Sequence, residues 1–298
     1  MKHTGKKINR RVTRFRTPSR IRVRPVLPPP TRPRDSQWGR TGRAEVLGTP
    51  VDRCSTVEFS MFIERALAGN HLRRIVTLNP EIALAGWRHP RFGNLLHTAD
   101  LVTIDGFGIA CALWWNGYGR AQRLTGTDML PILCASMEER GLAVTFLLRT
   151  DGLTMPDVLR KTIEQHWPKL RAAYGTVDPR ASLDPAMVRA VNDQQPACII
   201  MNVGGVAQEE WICRNGDAFQ NARIIVGTGG AIDYLCGTVQ SPPPLMRRLG
   251  LEWLWRVARQ PWRFRRVLDA AVIFPLVVVA ERFQRVRLPR LTVRLRTS

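Results

Sequence analysis

From Cys54 onward the chain alternates short apolar runs with longer stretches in which apolar positions recur at helical spacing. Six runs read as buried strands: Arg74–Leu78, Leu101–Ile104, Ala143–Leu148, Leu170–Tyr174, Cys198–Val203 and Arg223–Val226. The stretches between them carry helix-end signals. Asn79 can cap a helix whose first residue is Pro80. Gly141 can close a helix over Asp128–Arg140, and Asp184-Pro185 opens one that ends near Gln195. This alternation predicts an α/β fold with a Rossmann-like, mostly parallel sheet flanked by helices. In such sheets ligands gather beyond the carboxyl ends of the strands. The residues expected there are Thr77/Asn79, Asp105/Gly106, Arg149/Thr150, Gly204/Gly205 and Gly227–Gly230.

The pattern changes at both ends. Residues 24–34 (RPVLPPPTRPR) have no periodicity and belong to an extended or disordered arm. Beyond Pro242, Arg and Trp recur at helical spacing, which predicts a C-terminal Arg/Trp-rich helical appendage. The expected divisions are a basic arm over 1–45, an α/β core over 46–240 and a basic helical appendage over 241–298. The most apolar run, Ala270–Ala280 (AAVIFPLVVVA), is far short of the ~20 residues that span a bilayer, and Pro275 interrupts it. It can lie in a membrane interface or pack on the core.

Charge sharpens this division. Residues 1–43 hold 14 Lys/Arg against one acid, and residues 247–298 hold 13 Arg against three, while the whole chain carries a net +21. The segment between is nearly neutral. A nucleic-acid-binding domain more often carries its basic stripe on the folded core, so no nucleic acid is expected as a partner. Two basic ends fit an anionic membrane surface, at roughly 1 kcal/mol per Lys/Arg near the headgroups. A solvated arm is the plainer reading of the N-terminal charge. The basic N-terminus lacks the apolar stretch of a signal peptide. Six cysteines form no C-x-x-C pair and show no metal spacing, which reads as a reducing compartment without structural zinc.

Four constellations carry candidate chemistry. TLNPE (77–81) and IDGFG (104–108) put Asp105 after a strand and before glycines that let a ligand approach the backbone. Its carboxylate can serve as general base on a sugar hydroxyl, or it can cap the following helix. Asn79 is a cap first and a ligand contact second. In RLTGTDMLP (123–131), Gly126 gives a turn, and Thr127 or Asp128 caps a helix N-terminus that can attract phosphate or bond a ribose. GTGGAID (227–233) is a strand-end glycine turn whose amides can cradle a diphosphate. It is neither a Walker loop nor a full G-x-G-x-x-G fingerprint, and no D-x-D sequence occurs. In the tail, Trp suits a membrane interface and Arg binds phosphate bidentately. The tryptophans can equally pack an amphipathic helix on the core.

Taken in order, TLNPE, IDGFG, LTGTD, QEEW, GTGGAIDYLCG and LGLEWLWRVARQPWRFRR resemble the WecG/TagA/CpsF glycosyltransferases, glycosyltransferase family 26. The resemblance covers roughly residues 50–268. It implies an inverting, metal-independent transfer from a UDP-sugar to an undecaprenyl-diphosphate-linked saccharide, in bacterial cell-surface or exopolysaccharide biosynthesis. It implies no cofactor, and a cytoplasmic enzyme peripheral on the inner face of the plasma membrane. By position, Asp105 is the implied base with Thr77 beside it. Asn79, Asp128, Gln208, Gly229 and Asp233 fall to the donor, and Arg247, Arg256 and Arg263 to the acceptor diphosphate. An appendage that completes the site can do so within one subunit or between copies in a homo-oligomer. Two departures stand out: Val206 and Ala207 replace the usual Pro-Lys, and Arg149 and Thr150 a common Gly-Gly. They motivate the alternative of a non-catalytic assembly factor that binds nucleotide-sugar or membrane. Arg149 can also supply the missing charge.

Overall fold

The structure is a computed structural model that describes residues 43–241, 243, 245–246, 252–259 and 264–287. The predicted N-terminal arm therefore lies almost wholly outside the described residues. A hairpin of β1 (Ala44–Val46) and β2 (Thr49–Val51) leads into α1 (Thr56–Ala68), whose Ser55 and Glu58 form a reciprocal capping box.

Six strands follow: β3 (Arg73–Leu78), β4 (Leu101–Ile104), β5 (Ala143–Arg149), β6 (Arg171–Val177), β7 (Cys198–Asn202) and β8 (Ile224–Gly227). They lie in the order β4-β3-β8-β7-β5-β6, and every pairing is parallel. All six predicted strands are present, with ends shifted by three residues at most.

A parallel sheet must be covered on both faces, which is why its strands read as continuous apolar runs. Ile75, Val144, Phe146, Ile200 and Val226 point to one face, against α1, α5 (Gly126–Glu139) and α6 (Pro156–His166). On the other face, Val76, Leu78, Val102 and Ile104 meet α2 (Pro80–Arg88), α3 (Pro90–Leu96) and α4 (Phe107–Trp115). Ile199, Met201 and Ile225 on that face meet α7 (Pro185–Asp193) and α8 (Gly205–Asn215). Asp52, just past the hairpin, covers the outer edge of β4: its amide donates to Val102 O and its carboxylate accepts from Val102 N, each at 2.8 Å.

Beyond the sheet come α9 (Ala231–Leu235), α10 (Glu252–Arg259) and α11 (Phe264–Leu268), then a π-helical turn over Asp269–Ile273 and α12 (Phe274–Arg287). The run Ala270–Ala280 packs on the core, where Phe274 and Val278 are 1% and 4% exposed, while Leu276 on the opposite side is 61% exposed. Two bidentate ion pairs hold this segment to α2. Arg88 donates to Asp269 at 2.8 and 3.1 Å, and Arg266 donates to Glu81 at 2.7 and 3.0 Å. Among the described residues, no helix is long and apolar enough to cross a membrane.

Candidate active site

A cavity of about 460 Å³ opens beyond the carboxyl ends of β3 and β4. Backbone bonds explain why its polar residues meet. Asp105 N donates to Leu78 O at 2.8 Å, and Leu124 N donates to Ile104 O at 3.1 Å. These bonds bring the segments bearing Asn79, Asp105 and Arg123 side by side on the cavity wall. Glu81, one residue into α2, brings Arg266 of α11 to the same wall. Two carboxylates and two guanidiniums thus share one cleft, and Arg266 is the group delivered by the C-terminal segment.

Asp105 does not cap α4. The N-cap is Gly106, with φ of 103° and no side-chain bond, and Asp105 just before it lines the cavity. Asn79 is the cap expected of it, its Oδ1 accepting from Ile82 N at 3.0 Å, and it also lines the cavity. Thr77 is buried, and its hydroxyl donates to Gly227 O at 2.9 Å. It ties β3 to β8 and does not line the cavity wall. Cys111 does line it. Burial pushes its thiol up, against the opposing charge of Arg123, so it stays protonated at neutral pH.

A second polar cluster forms between β5 and β7. These neighbours send their following segments in opposite directions, to β6 and to β8, which opens a crevice at their carboxyl ends. Asp233 of α9 is buried there, its Oδ1 accepting from Thr154 Oγ1 at 2.7 Å and from Asn202 Nδ2 at 3.1 Å. The Thr154 oxygen in turn accepts from the Thr238 hydroxyl at 3.1 Å. Gly229, in the turn before α9, takes a left-handed φ of 56°. Gln208 packs so closely on β8 that a Cβ at Gly227 would meet its Nε2 at 1.7 Å. Its Oε1 accepts from Val203 N and Gly204 N, fixing the β7–α8 turn, and its Nε2 donates to Glu209 at 2.9 Å. Glu209 is buried, and desolvation pushes its carboxyl up to about 7, against the pull of the Gln208 bond.

Asp128 serves its own helix. Thr125, not Thr127 or Asp128, is the N-cap of α5, and the Asp128 carboxylate accepts from Thr125 N at 2.9 Å and Thr125 Oγ1 at 2.7 Å. That capping box sits against the glycine turn, since a Cβ on Gly126 would meet Thr228 O at 2.5 Å. Among the described residues, no three His, Cys, Asp or Glu side chains gather as metal ligands.

A profile of the glycosyl transferase WecG/TagA/CpsF family matches residues 44–288. The chain belongs to this family. It is a glycosyltransferase, as the ordered motifs implied. Similar proteins from Staphylococcus aureus strains MRSA252, MW2 and NCTC 8325 are each 23% identical over 246 residues, covering 81% of this chain and 94% of theirs. Each is named N-acetylglucosaminyldiphosphoundecaprenol N-acetyl-beta-D-mannosaminyltransferase.

Within this glycosyltransferase the sequence-derived residues divide between the two clusters. Asp105 and Asn79 line the cavity, while Gln208, Gly229 and Asp233 stand at the carboxyl ends of β7 and β8. Arg247 and Arg263 lie outside the described residues, as does the side chain of Arg256. Sequence reasoning singled out neither Glu81 nor Arg123, and gave Arg266 no role beyond membership of the tail. Their signals were present: Glu81 lies within TLNPE, and Arg123 directly precedes LTGTD. Thr154 and Asn202 were also missed, although Asn202 ends a buried strand, where a polar residue must face either a partner or a ligand. Arg149, considered as a substitute cation, instead donates to Asp151 through Nε and Nη2, and the pairing holds the Asp151 carboxyl below its usual range.

Proposed function

We propose that the chain transfers a sugar from a UDP-sugar to the saccharide of a polyprenyl-diphosphate acceptor, with inversion and without a metal. The observation that carries this reading is Asp105 facing a cleft that also holds Arg123 and Arg266. The S. aureus relatives, named for an undecaprenyl-diphosphate acceptor, support the acceptor class. Asp105 accepts the proton of the attacking hydroxyl as its oxygen bonds to the anomeric carbon. The bond from that carbon to the UDP β-phosphate oxygen breaks, and UDP leaves with the electron pair.

Arg123 balances the acceptor diphosphate together with Arg266, which Glu81 holds in place and partly neutralises, and preorganised cations stabilise charge without reorganising. The donor lies at the β5/β7 crevice, with Asp233, Asn202 and Thr154 as polar contacts and the Gly227–Gly230 turn beside the diphosphate. Thr77 acts as a positioning residue through the Gly227 carbonyl. Asn79 orients the first turn of α2. The C-terminal segment supplies Arg266 and presents exposed Leu276 and Phe283 to an anionic membrane, so the enzyme works peripherally on its inner face.

Purified protein is incubated with a panel of UDP-sugars and a polyprenyl-diphosphate-linked N-acetylglucosamine acceptor. One donor supports turnover, and Asp105→Asn lowers kcat by about 10² to 10⁴ while the fold persists. Full activity in Asp105→Asn sinks the mechanism. UDP binding by calorimetry without turnover of any donor favours a non-catalytic assembly factor instead.

A further inference from the structure

The cavity beside Asp105 has more wall than a diphosphate requires. Along the C-terminal segment its lining residues recur in adjacent pairs, one pair every four residues, from Arg266/Val267 to Val278/Val279. At about 1.5 Å per residue that stripe runs for about 20 Å. Every member after Arg266 is apolar, and the small side chains of Ala270 and Ala271 leave room next to its charged end. The facing wall is α4, contributing Cys111, Ala112 and Trp115. One end of the groove holds Asp105, Arg123 and Arg266, and near the other the Arg282 guanidinium lies 5.4 Å from the centre of the Trp115 ring.

The outer surfaces of the same two helices point to a lipid. Helix α4 (FGIACALWW) is apolar on every side, a composition normal for a helix buried all round. Its inner side buries Ile109 and Leu113 in the core, yet Trp114 is 62% exposed. On α12, Leu276 and Phe283 are equally open, at 61% and 60%. Large exposed apolar side chains gathered on two helices suit an interaction site, and these two helices wall the groove.

We propose that the groove between α4 and the segment 267–279 holds the first isoprene units of the acceptor's prenyl chain, its diphosphate lying between Arg123 and Arg266. The proposal rests on the acceptor class given under the proposed function and adds that the protein reads the lipid as well as the sugar. A single stripe offers room for one chain, which suits a prenyl diphosphate; a glycerophospholipid carries two acyl chains on one head. The charged end of the groove fixes the direction in which the chain enters. Seating the chain sets the reach of the acceptor sugar toward Asp105.

Two measurements test this on the full chain. In the first, kcat/KM is compared for N-acetylglucosamine diphosphate carried on undecaprenol and on a short alkyl tail. Ala271→Phe near the charged end and Val279→Phe at the far end should each lower the ratio of long-tail to short-tail kcat/KM by at least about tenfold. Thermal unfolding confirms that each variant is folded, and an unchanged ratio in both folded variants overturns the proposal. In the second, which needs no turnover, a diazirine-bearing prenyl diphosphate is photolysed with the protein. Label should map to peptides containing Phe107–Trp115 and residues 267–279, fall in Ala271→Phe, and resist competition by phosphatidylglycerol vesicles. Label elsewhere, or loss of label to the vesicles, overturns the prenyl assignment. Labelled groove without sugar transfer would defeat the transfer reading and leave the groove standing; transfer with no tail dependence and no groove label would do the reverse.

Discussion

Glu209 offers a prediction whose size follows from where it sits. Its carboxyl is 2% exposed on α8, with one neutral donor, Gln208 Nε2, at 2.9 Å. Burial pushes its pKa from an ordinary 4.5 to about 7. The folded protein therefore keeps this proton through a window in which the unfolded chain has released it. Glu209 costs nothing below about pH 4.5, costs progressively more as pH rises toward 7, and reaches a plateau above that. A gap of about 2.5 pH units, at about 1.4 kcal/mol each, makes the plateau about 3 kcal/mol. Glu209→Gln keeps the shape and an oxygen to accept from Gln208, and removes the ionisation. Unfolding followed by circular dichroism at pH 5 and pH 8.5 measures the difference. At pH 8.5 the variant should melt about 6–12 °C above the parent, at about 2–4 °C per kcal/mol for a domain of this size. At pH 5 the two melts should lie close together. An equal offset at both pH values, or a less stable variant at pH 8.5, would refute the assignment of a buried, partly protonated carboxyl.

Further outcomes follow from the same geometry. Gly126→Ala should destabilise the protein by about 1–3 kcal/mol in urea, because the new methyl meets the Thr228 carbonyl, which is backbone and cannot move aside. Thr154→Val removes the hydroxyl that donates to Asp233 at 2.7 Å; it should raise the donor KM more than tenfold, of the order expected for a buried polar group left unpaired, while the acceptor KM stays near the parent value. An unchanged donor KM would place the nucleotide away from this crevice.

The fold was legible because a parallel sheet leaves a plain record. Strands buried on both faces must be apolar throughout, and Val144–Leu148 and Cys198–Met201 admit little else. Local capping chemistry was legible at Asn79, whose partner is three residues away. It slipped by two residues at α5, where Thr125, Thr127 and Asp128 all have capping side chains and only the entry of the chain from β4 selects Thr125. The candidate base was visible at Asp105 because a strand end followed by glycine is a local pattern. The rest of that cleft is not local. Glu81 meets Arg266, and Arg88 meets Asp269, across the length of the chain. No periodicity records which of many tail arginines makes such a contact. Thr77 shows the converse: it belongs to the same motif, but its hydroxyl donates within the sheet to Gly227 O.

One consequence of how the cavity is walled concerns time. Its first wall is complete once residues 79–123 have folded, and its second comes from residues 266–279, which are synthesised after every strand of the sheet. Closing a loop of about 140 residues adds little to the equilibrium cost over a shorter one, since that cost grows only with the logarithm of length. It does set an order of events, because non-local contacts form after the local ones they depend on. The polar crevice built from β5, β7, β8 and α9 can exist on a growing chain before the groove does. The glycosyltransferase thus acquires the crevice beside β7 first and the groove beside Asp105 last, so a partly made chain has a sheet to fold but an unfinished cavity wall.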